Sequence, residues 1–233
     1  MKKKMLCFCA AMLFIVATTV QASLTWNGAG DGMSLYQEAN WVDSDTGVAP
    51  LAGAVDGNVE INNDVIINTG ATAGGGNGAG PNLYLGTGSL TMNGGYLRFS
   101  SYGLRKDVSF PAVDWAPATL NDGATINAMY IVGIDLTINN GSLILRGGGN
   151  PINVTEINLT STDASIVLTA ETVAAFTTEH LSKITVNGAP AVIDQNLSVV
   201  SDGATGSIVT VIPEPATMAL LSLGGLAMLK RRR

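Results

Sequence analysis

Side chains able to do chemistry near neutral pH are scarce in this 233-residue sequence. Catalysis requires an acid, a base, a nucleophile or a metal held in a concave site. Histidine occurs once, at His180, and the two cysteines, Cys7 and Cys9, both lie near the amino terminus. A Ser-His-Asp arrangement would have to use His180, but no Gly-x-Ser-x-Gly elbow accompanies it, so it reads as a histidine on a helix surface. Paired carboxylates could serve glycoside hydrolysis, with Asp114, Asp122, Asp135 and Asp163 as candidates. Scattered acids supply chance pairs, however, and Arg105, Lys106 and Arg146 complete no recognisable constellation with them. No catalytic residue is expected, and the chain reads as non-enzymatic. No cofactor and no defined metal site is expected either. Structural calcium is the one ion the acids would suit, around Asp31, Asp43, Asp45 and Asp56, but no EF-hand or Gly-Gly-x-Gly-x-Asp pattern defines its ligands. Glycine runs at 74–76 and 147–149 lack the strand-to-helix setting of a phosphate-binding loop and read as ordinary loops.

Charge narrows the partners. The net charge is −6, but seven of the twelve cations sit at the ends: Lys2, Lys3, Lys4, Lys230, Arg231, Arg232 and Arg233. Between Ser23 and Ile212 five cations face seventeen acids, a balance of −12. Such a body is ill suited to a phosphate backbone, so nucleic acid is not an expected partner. Glycine, at 28 residues, is well above the roughly 7% of average proteins. Charged residues are only 13%, which disfavours helical bundles, and the apolar fraction of 46% is enough to build a core.

The elements that must position any site are short β-rich runs. Val59–Ile61, Asp64–Ile67, Leu83–Leu85, Leu90–Met92 and Tyr96–Phe99 are followed by Met129–Val132, Leu136–Ile138, Ser142–Leu145, Ile157–Leu159 and Ser165–Leu168. Leu197–Val200 and Ile208–Ile212 close the series. Asn93-Gly94, Asp122-Gly123, Asn140-Gly141 and Asn187-Gly188 read as turns using left-handed conformations. The pattern predicts an all-β body over residues 23–212. Residues 103–121 break the rhythm and read as a projecting loop, while 170–183 is the best helix candidate, its start supported by Thr169 and Glu171.

A repeat sharpens the architecture. Residues 84–97 align without gaps to 130–143, six of the fourteen positions being identical at this offset of 46. Half that offset, 23, is a plausible length for one coil of a parallel β-helix, and the 190-residue body would hold roughly eight coils. The alternative is an antiparallel β-sandwich or jelly roll, because Asn-Gly turns also serve hairpins.

Residues 23–60 carry a signature of their own. Trp26-Asn27-Gly28, Gly30-Asp31-Gly32 and Ala39-Asn40-Trp41 precede Pro50 and Val55-Asp56. This segment resembles the amino-terminal cap of secreted bacterial repeat proteins of the autotransporter-passenger or parallel β-helix type. The resemblance implies that Trp26 and Trp41 cover the open apolar end of a stack. A competing function for Trp26 and Trp41, together with Trp115, is stacking on sugar rings as a carbohydrate-binding module.

The ends read as addresses. Lys2–Lys4, an apolar stretch from Met5 to Val16, and Val20-Gln21-Ala22 form a secretory signal over 1–22, with cleavage by signal peptidase between Ala22 and Ser23. Removal of that segment takes both cysteines with it, leaving no disulfide or thiolate-metal site. At the other end Pro213-Glu214-Pro215 precedes an uncharged run, Ala216 to Leu229, and the basic Lys230–Arg233. Fourteen helical residues span about 21 Å, a short membrane helix against a hydrocarbon layer of roughly 30 Å. In this order the three parts of residues 213–233 resemble the PEP-CTERM sorting signal of exported bacterial proteins. That resemblance implies a Gram-negative-type envelope, recognition by an exosortase-type enzyme, membrane contact through the tail helix before processing, and delivery to the cell surface or extracellular matrix. The expected role is structural or adhesive, with extracellular polysaccharide as a candidate partner. A carbohydrate-binding module is the alternative, and a polysaccharide-degrading enzyme the least favoured.

Overall fold

The computed structural model describes residues 23–27, 29, 38–43, 59–61, 64–68, 72–74, 83–85, 89–99, 103–105, 116–153, 156–203 and 205–213. Strand dominates, so the fold is all-β. The amino-terminal part supplies β1 (Ser23–Trp26), β2 (Trp41–Asp43), β3 (Val59–Ile61), β4 (Asp64–Asn68), β5 (Thr72–Gly74) and β6 (Leu83–Leu85). Next come β7 (Leu90–Asn93), β8 (Tyr96–Arg98), β9 (Leu104–Arg105), β10 (Ala116–Asn121), β11 (Ala124–Ala128) and β12 (Ile131–Val132). They are followed by β13 (Ile134–Ile138), β14 (Gly141–Leu145), β15 (Ile152–Asn153), β16 (Ile157–Leu159) and β17 (Ala164–Leu168). Helix α1 (Val173–Glu179) then precedes β18 (Ile184–Val186), β19 (Ala189–Pro190), β20 (Leu197–Ser201) and β21 (Ser207–Val211).

These strands form three sheets. In the middle of each sheet a strand pairs in parallel with the strand three places later, as β7 does with β10 and β10 with β13. The chain therefore visits the first, second and third sheets in turn and repeats the circuit. The first sheet ends in an antiparallel pair at both edges and the second sheet at one. At the amino-terminal end β2 pairs with β1; at the other end β19 pairs with β18, and β21 joins β17 to β20. Antiparallel terminal strands cover edges that would otherwise offer a row of free backbone groups.

In-register stacking puts like side chains in columns. Leu90, Ala118, Leu136, Ile157 and Ile184 form one buried column of the first sheet; Met92, Leu120, Ile138, Leu159 and Val186 form the next. In the second sheet Leu97, Ile126, Leu143, Ile166 and Val209 do the same. Alternation along each strand sends its other residues outward, as the burial of β13, β14 and β17 shows.

The internal repeat has a structural counterpart with unequal halves. Leu90 reaches Leu136 in two circuits through Ala118, and Leu97 reaches Leu143 through Ile126, both at the offset of 46 seen in the sequence. The two circuits are not 23 residues each: Asn93 and Asn121 are 28 apart, Asn121 and Asn139 only 18. Circuit length varies because only the paired strands must stay in register, whereas corners tolerate insertions.

Other expectations need correction. The expected loop over 103–121 contains β9 and the whole of β10, so the strand rhythm continues at both its ends. Alanine hides β10 and β11 in the sequence: Ala116, Ala118, Ala124 and Ala128 fill inward positions where bulkier residues would have marked a strand. Asp122-Gly123 and Asn187-Gly188 do adopt positive φ at both residues. Gly141 does not, and it is needed for a different reason: a Cβ there would lie 2.4 Å from the Ala124 carbonyl oxygen of the strand beneath.

Replacing Ile126, which is fully buried in the middle of the second sheet, with Ala should cost about 2–5 kcal/mol, as large-to-small core changes do. Urea unfolding of the Ile126→Ala protein checks this. A Gly141→Ala chain should be destabilised too, although the change adds only a methyl group.

Candidate functional site

Apart from the second sheet, where Asn127 bonds to Tyr96 and to Arg146, and Ser142 to Ser165, two regions of the described structure bring polar side chains together. The first is the outer face of the first sheet. Thr91, Thr119, Thr137, Asn158 and Thr185 stand in register on successive strands. Two residues further along lies a second column, and its members are hydrogen-bonded to one another. The Asn121 amide donates to Asn93 Oδ1 at 3.0 Å, Asn139 donates to Asn121 Oδ1 at 2.7 Å, and the Thr160 hydroxyl donates to Asn139 Oδ1 at 2.7 Å. Parallel strands lie about 4.8 Å apart, a spacing that lets identical amides chain together. At the carboxyl-terminal end of this face the Asn158 Oδ1 accepts from the Gly188 backbone N–H at 3.0 Å. The face presents amides and hydroxyls held by their neighbours, and the Thr185 hydroxyl donates to the Glu156 carboxylate.

The second region is the cap at the carboxyl-terminal end. Thr172 starts α1 by accepting from the Ala175 N–H at 3.2 Å through its hydroxyl, so the N-cap is Thr172 and not the expected Thr169 or Glu171. The helix is shorter than the expected 170–183: it stops at Glu179, and a 3-10 turn over Leu181–Lys183 leads into β18. Phe176 is the buried residue of its inner face. His180 ends the helix with its N–H donated to the Phe176 carbonyl, and its ring is fully buried. The expected surface histidine is thus an interior one, because the short helix ends against the stack.

Glu171 is also buried, at 3% exposure, and its Oε2 lies 3.8 Å from His180 Nε2. This is too long for a hydrogen bond. Burial, with Lys183 adding to it, pushes the His180 ring below its usual 6.5; Glu179 opposes the shift. Burial, then repulsion from Glu179, pushes the Glu171 carboxyl above its usual 4.5, offset in part by the Gly149 backbone hydrogen bond. Both shifts favour the neutral forms, so the contact is not a neutral-pH ion pair of any strength. Neither partner was legible as a pair: Glu171 precedes the helix, and no helical spacing connects it to His180.

The residues expected to act are distributed differently. Trp26 and Trp41 face each other across the β1–β2 pair, ring centroids 5.0 Å apart and nearly perpendicular, and both are buried. Neither offers a free face to a sugar, which corrects their carbohydrate-contact assignment; they occupy the amino-terminal end of the core. Trp115, Ala22, Glu214, Pro215, Arg231, Arg232 and Arg233 lie outside the described residues. Ser23 begins β1 and Pro213 follows β21. Of the calcium candidates, Asp31, Asp45 and Asp56 lie outside the described residues, and Asp43 ends β2. Asp122 and Asp163 are exposed turn residues, and Asp135 faces outward on β13; Asp114 lies outside the described residues. An open cavity of about 350 Å³ beside α1 is lined by Thr177, Thr178, Ser182 and Thr185, among others, and by none of these carboxylates. Among the described residues no helix is long and apolar enough to cross a membrane; the expected tail helix lies outside them.

Residues 211–233 match the PEP-CTERM protein-sorting motif. The motif supports an exported, envelope-associated bacterial protein and implies recognition by exosortase-type sorting machinery. No curated protein and no solved structure matches the chain.

Replacing Asn121 with Ala would remove both ladder hydrogen bonds, its donation to Asn93 Oδ1 and its acceptance from the Asn139 amide, and should cost about 1–3 kcal/mol, measurable by chemical unfolding. The lone imidazole should titrate with a midpoint below 6.5 in a nitrogen-15 NMR titration. The unfolded chain then takes up the proton first, so the His180 contribution to stability falls as pH drops below 6.5. Glu171 works in the opposite sense, since the folded carboxyl keeps its proton above 4.5 and its contribution falls as pH rises past that value.

Proposed function

We propose that this chain is an exported structural or adhesive protein of a Gram-negative-type bacterial surface or extracellular matrix, built on a short β-solenoid and delivered by its sorting tail. The observation that carries this reading is the sorting motif at residues 211–233 and where it starts. Its first residue, Val211, is also the last residue of β21, the strand that pairs with β17 one place in from the closing edge of the second sheet. The tail therefore leaves from the carboxyl-terminal end of the stack, and tethering it to a membrane would hold the body by that end.

The solenoid reading is supported by three sheets whose parallel strands recur every third element. Its function is positional. A stack of paired strands is stiff along its axis, and the net −12 of residues 23–212 keeps copies apart. The columns of Thr and Asn on the first sheet supply a polar face of fixed spacing against which a neutral extracellular polysaccharide can hydrogen-bond. A non-catalytic role is favoured by the placement of the single histidine in the interior.

Deleting residues 213–233 should release the protein from the envelope or leave it mis-sorted, read by fractionation and surface labelling. Unchanged surface retention would count against the tail argument. The carbohydrate-module alternative rests on Trp115 once Trp26 and Trp41 are assigned to the core. Reproducible binding on a glycan array, abolished by Trp115→Ala, would favour it; depolymerisation of a polysaccharide by the purified protein would restore the enzyme.

A further inference from the structure

We propose that Glu171, Glu179 and His180 form a binding site for a divalent transition-metal ion of the zinc class at the carboxyl-terminal cap. One ligand atom from each of the three lies within 4.8 Å of the others. Acidic groups often cluster on surfaces without meaning, but this cluster has a buried member of another kind. The His180 side chain is fully buried, and neither Nδ1 nor Nε2 has a hydrogen-bond partner. A buried polar atom without a partner loses its hydration for nothing in return, and an ion bound at one ring nitrogen removes that loss there.

The donor set selects the ion. Two carboxylates and one neutral imidazole suit zinc and the neighbouring first-row metals, whereas calcium and magnesium prefer oxygen alone. Donors around a tetrahedral zinc stand about 3.3 Å apart, given metal–ligand bonds of about 2.0–2.1 Å. The 3.8 Å between Glu171 Oε2 and His180 Nε2 is close to that. Glu179 is exposed, so its side chain can turn inward without disturbing the core, and the surface beside it leaves the fourth position to water. Lys183 does not fill the cluster: its ammonium donates to the Ile152 carbonyl at 2.5 Å and to Asn150 Oδ1 at 3.3 Å. The ligands come from both sides of α1, one before it and two at its end. The ion would thus pin both ends of the helix that lies against the last circuit. This inference does not depend on export or on the role of the surface.

The sequence holds one histidine, so the imidazole nitrogen-15 spectrum of the full chain reports His180 alone. The full chain, purified in mild detergent without a polyhistidine tag, is titrated with zinc chloride to ten equivalents. That excess covers zinc taken by Cys7 and Cys9, to which the imidazole signal is blind. The expected result is a saturable shift of one ring nitrogen, with apparent affinity at least tenfold weaker in Glu179→Gln and no shift with calcium chloride. Glu171→Gln should weaken it as much; should that variant fail to fold, Glu179→Gln carries the test, its side chain being exposed. An imidazole spectrum unmoved by excess zinc would overturn the site. So would a shift of undiminished affinity in Glu179→Gln, which would mark coordination by the imidazole without the exposed carboxylate.

Discussion

Parallel strands in register must carry compatible side chains at every step, and the rest of the structure depends on that constraint. A side chain pointing inward on one strand sits about 4.8 Å from its counterparts above and below. A column can therefore hold Leu, Ile, Val, Met or Ala, but not a charge. Leu97, Ile126, Leu143, Ile166 and Val209 satisfy this in the second sheet. On the outer face the same constraint turns repeated asparagines into a ladder, because an amide can donate downward and accept from above. Asn121 does both. The interior and exterior columns thus follow from one geometric rule, with side-chain chemistry deciding which face each column occupies.

The same rule leaves two problems at the ends. A stack of parallel strands exposes unpaired backbone at its edges and apolar side chains at its terminal layers. At the amino-terminal end β2 reverses direction beside β1, and the perpendicular Trp26–Trp41 pair occupies the terminal layer. At the carboxyl-terminal end β19 and β21 reverse direction and β20 pairs outside β21, while α1 contributes Phe176 to the core. Burying Glu171 and His180 is a consequence of closing this end with a short helix. The strongest departures from ordinary ionisation among the described residues fall there, in Glu171, His180 and Lys183, for the plain reason that burial is the leading cause of all three.

Much of the fold was legible where side-chain type and period coincide. The alternation in Leu136–Ile138 and Ser165–Leu168 marks strands because branched apolar residues recur at every second position. Asp122-Gly123 and Asn187-Gly188 mark turns because few other pairs tolerate positive φ twice. By contrast, Ala116-Pro117-Ala118 says little, since alanine has no strand preference and proline argues against a central strand. Pro117 is nonetheless in β10, on an outward, exposed position. The candidate site was less legible still. His180 is the sequence's one histidine, with only Glu179 beside it, and its proximity to Glu171 exists only once α1 has folded.

The amino-acid sequence by itself determined the sorting motif at the carboxyl end, the β content and a 46-residue repeat, because motifs, turns and alternation are local properties of the chain. Tertiary structure decided what no local property encodes. It decided that strands pair in parallel with the element three places on, that the two circuits inside the repeat are unequal, and that Trp26 and Trp41 belong to the core. It also decided that the lone histidine is buried beside a carboxylate. Each of these is a contact between residues distant in sequence, and period-two alternation identifies a strand's face without naming its partner.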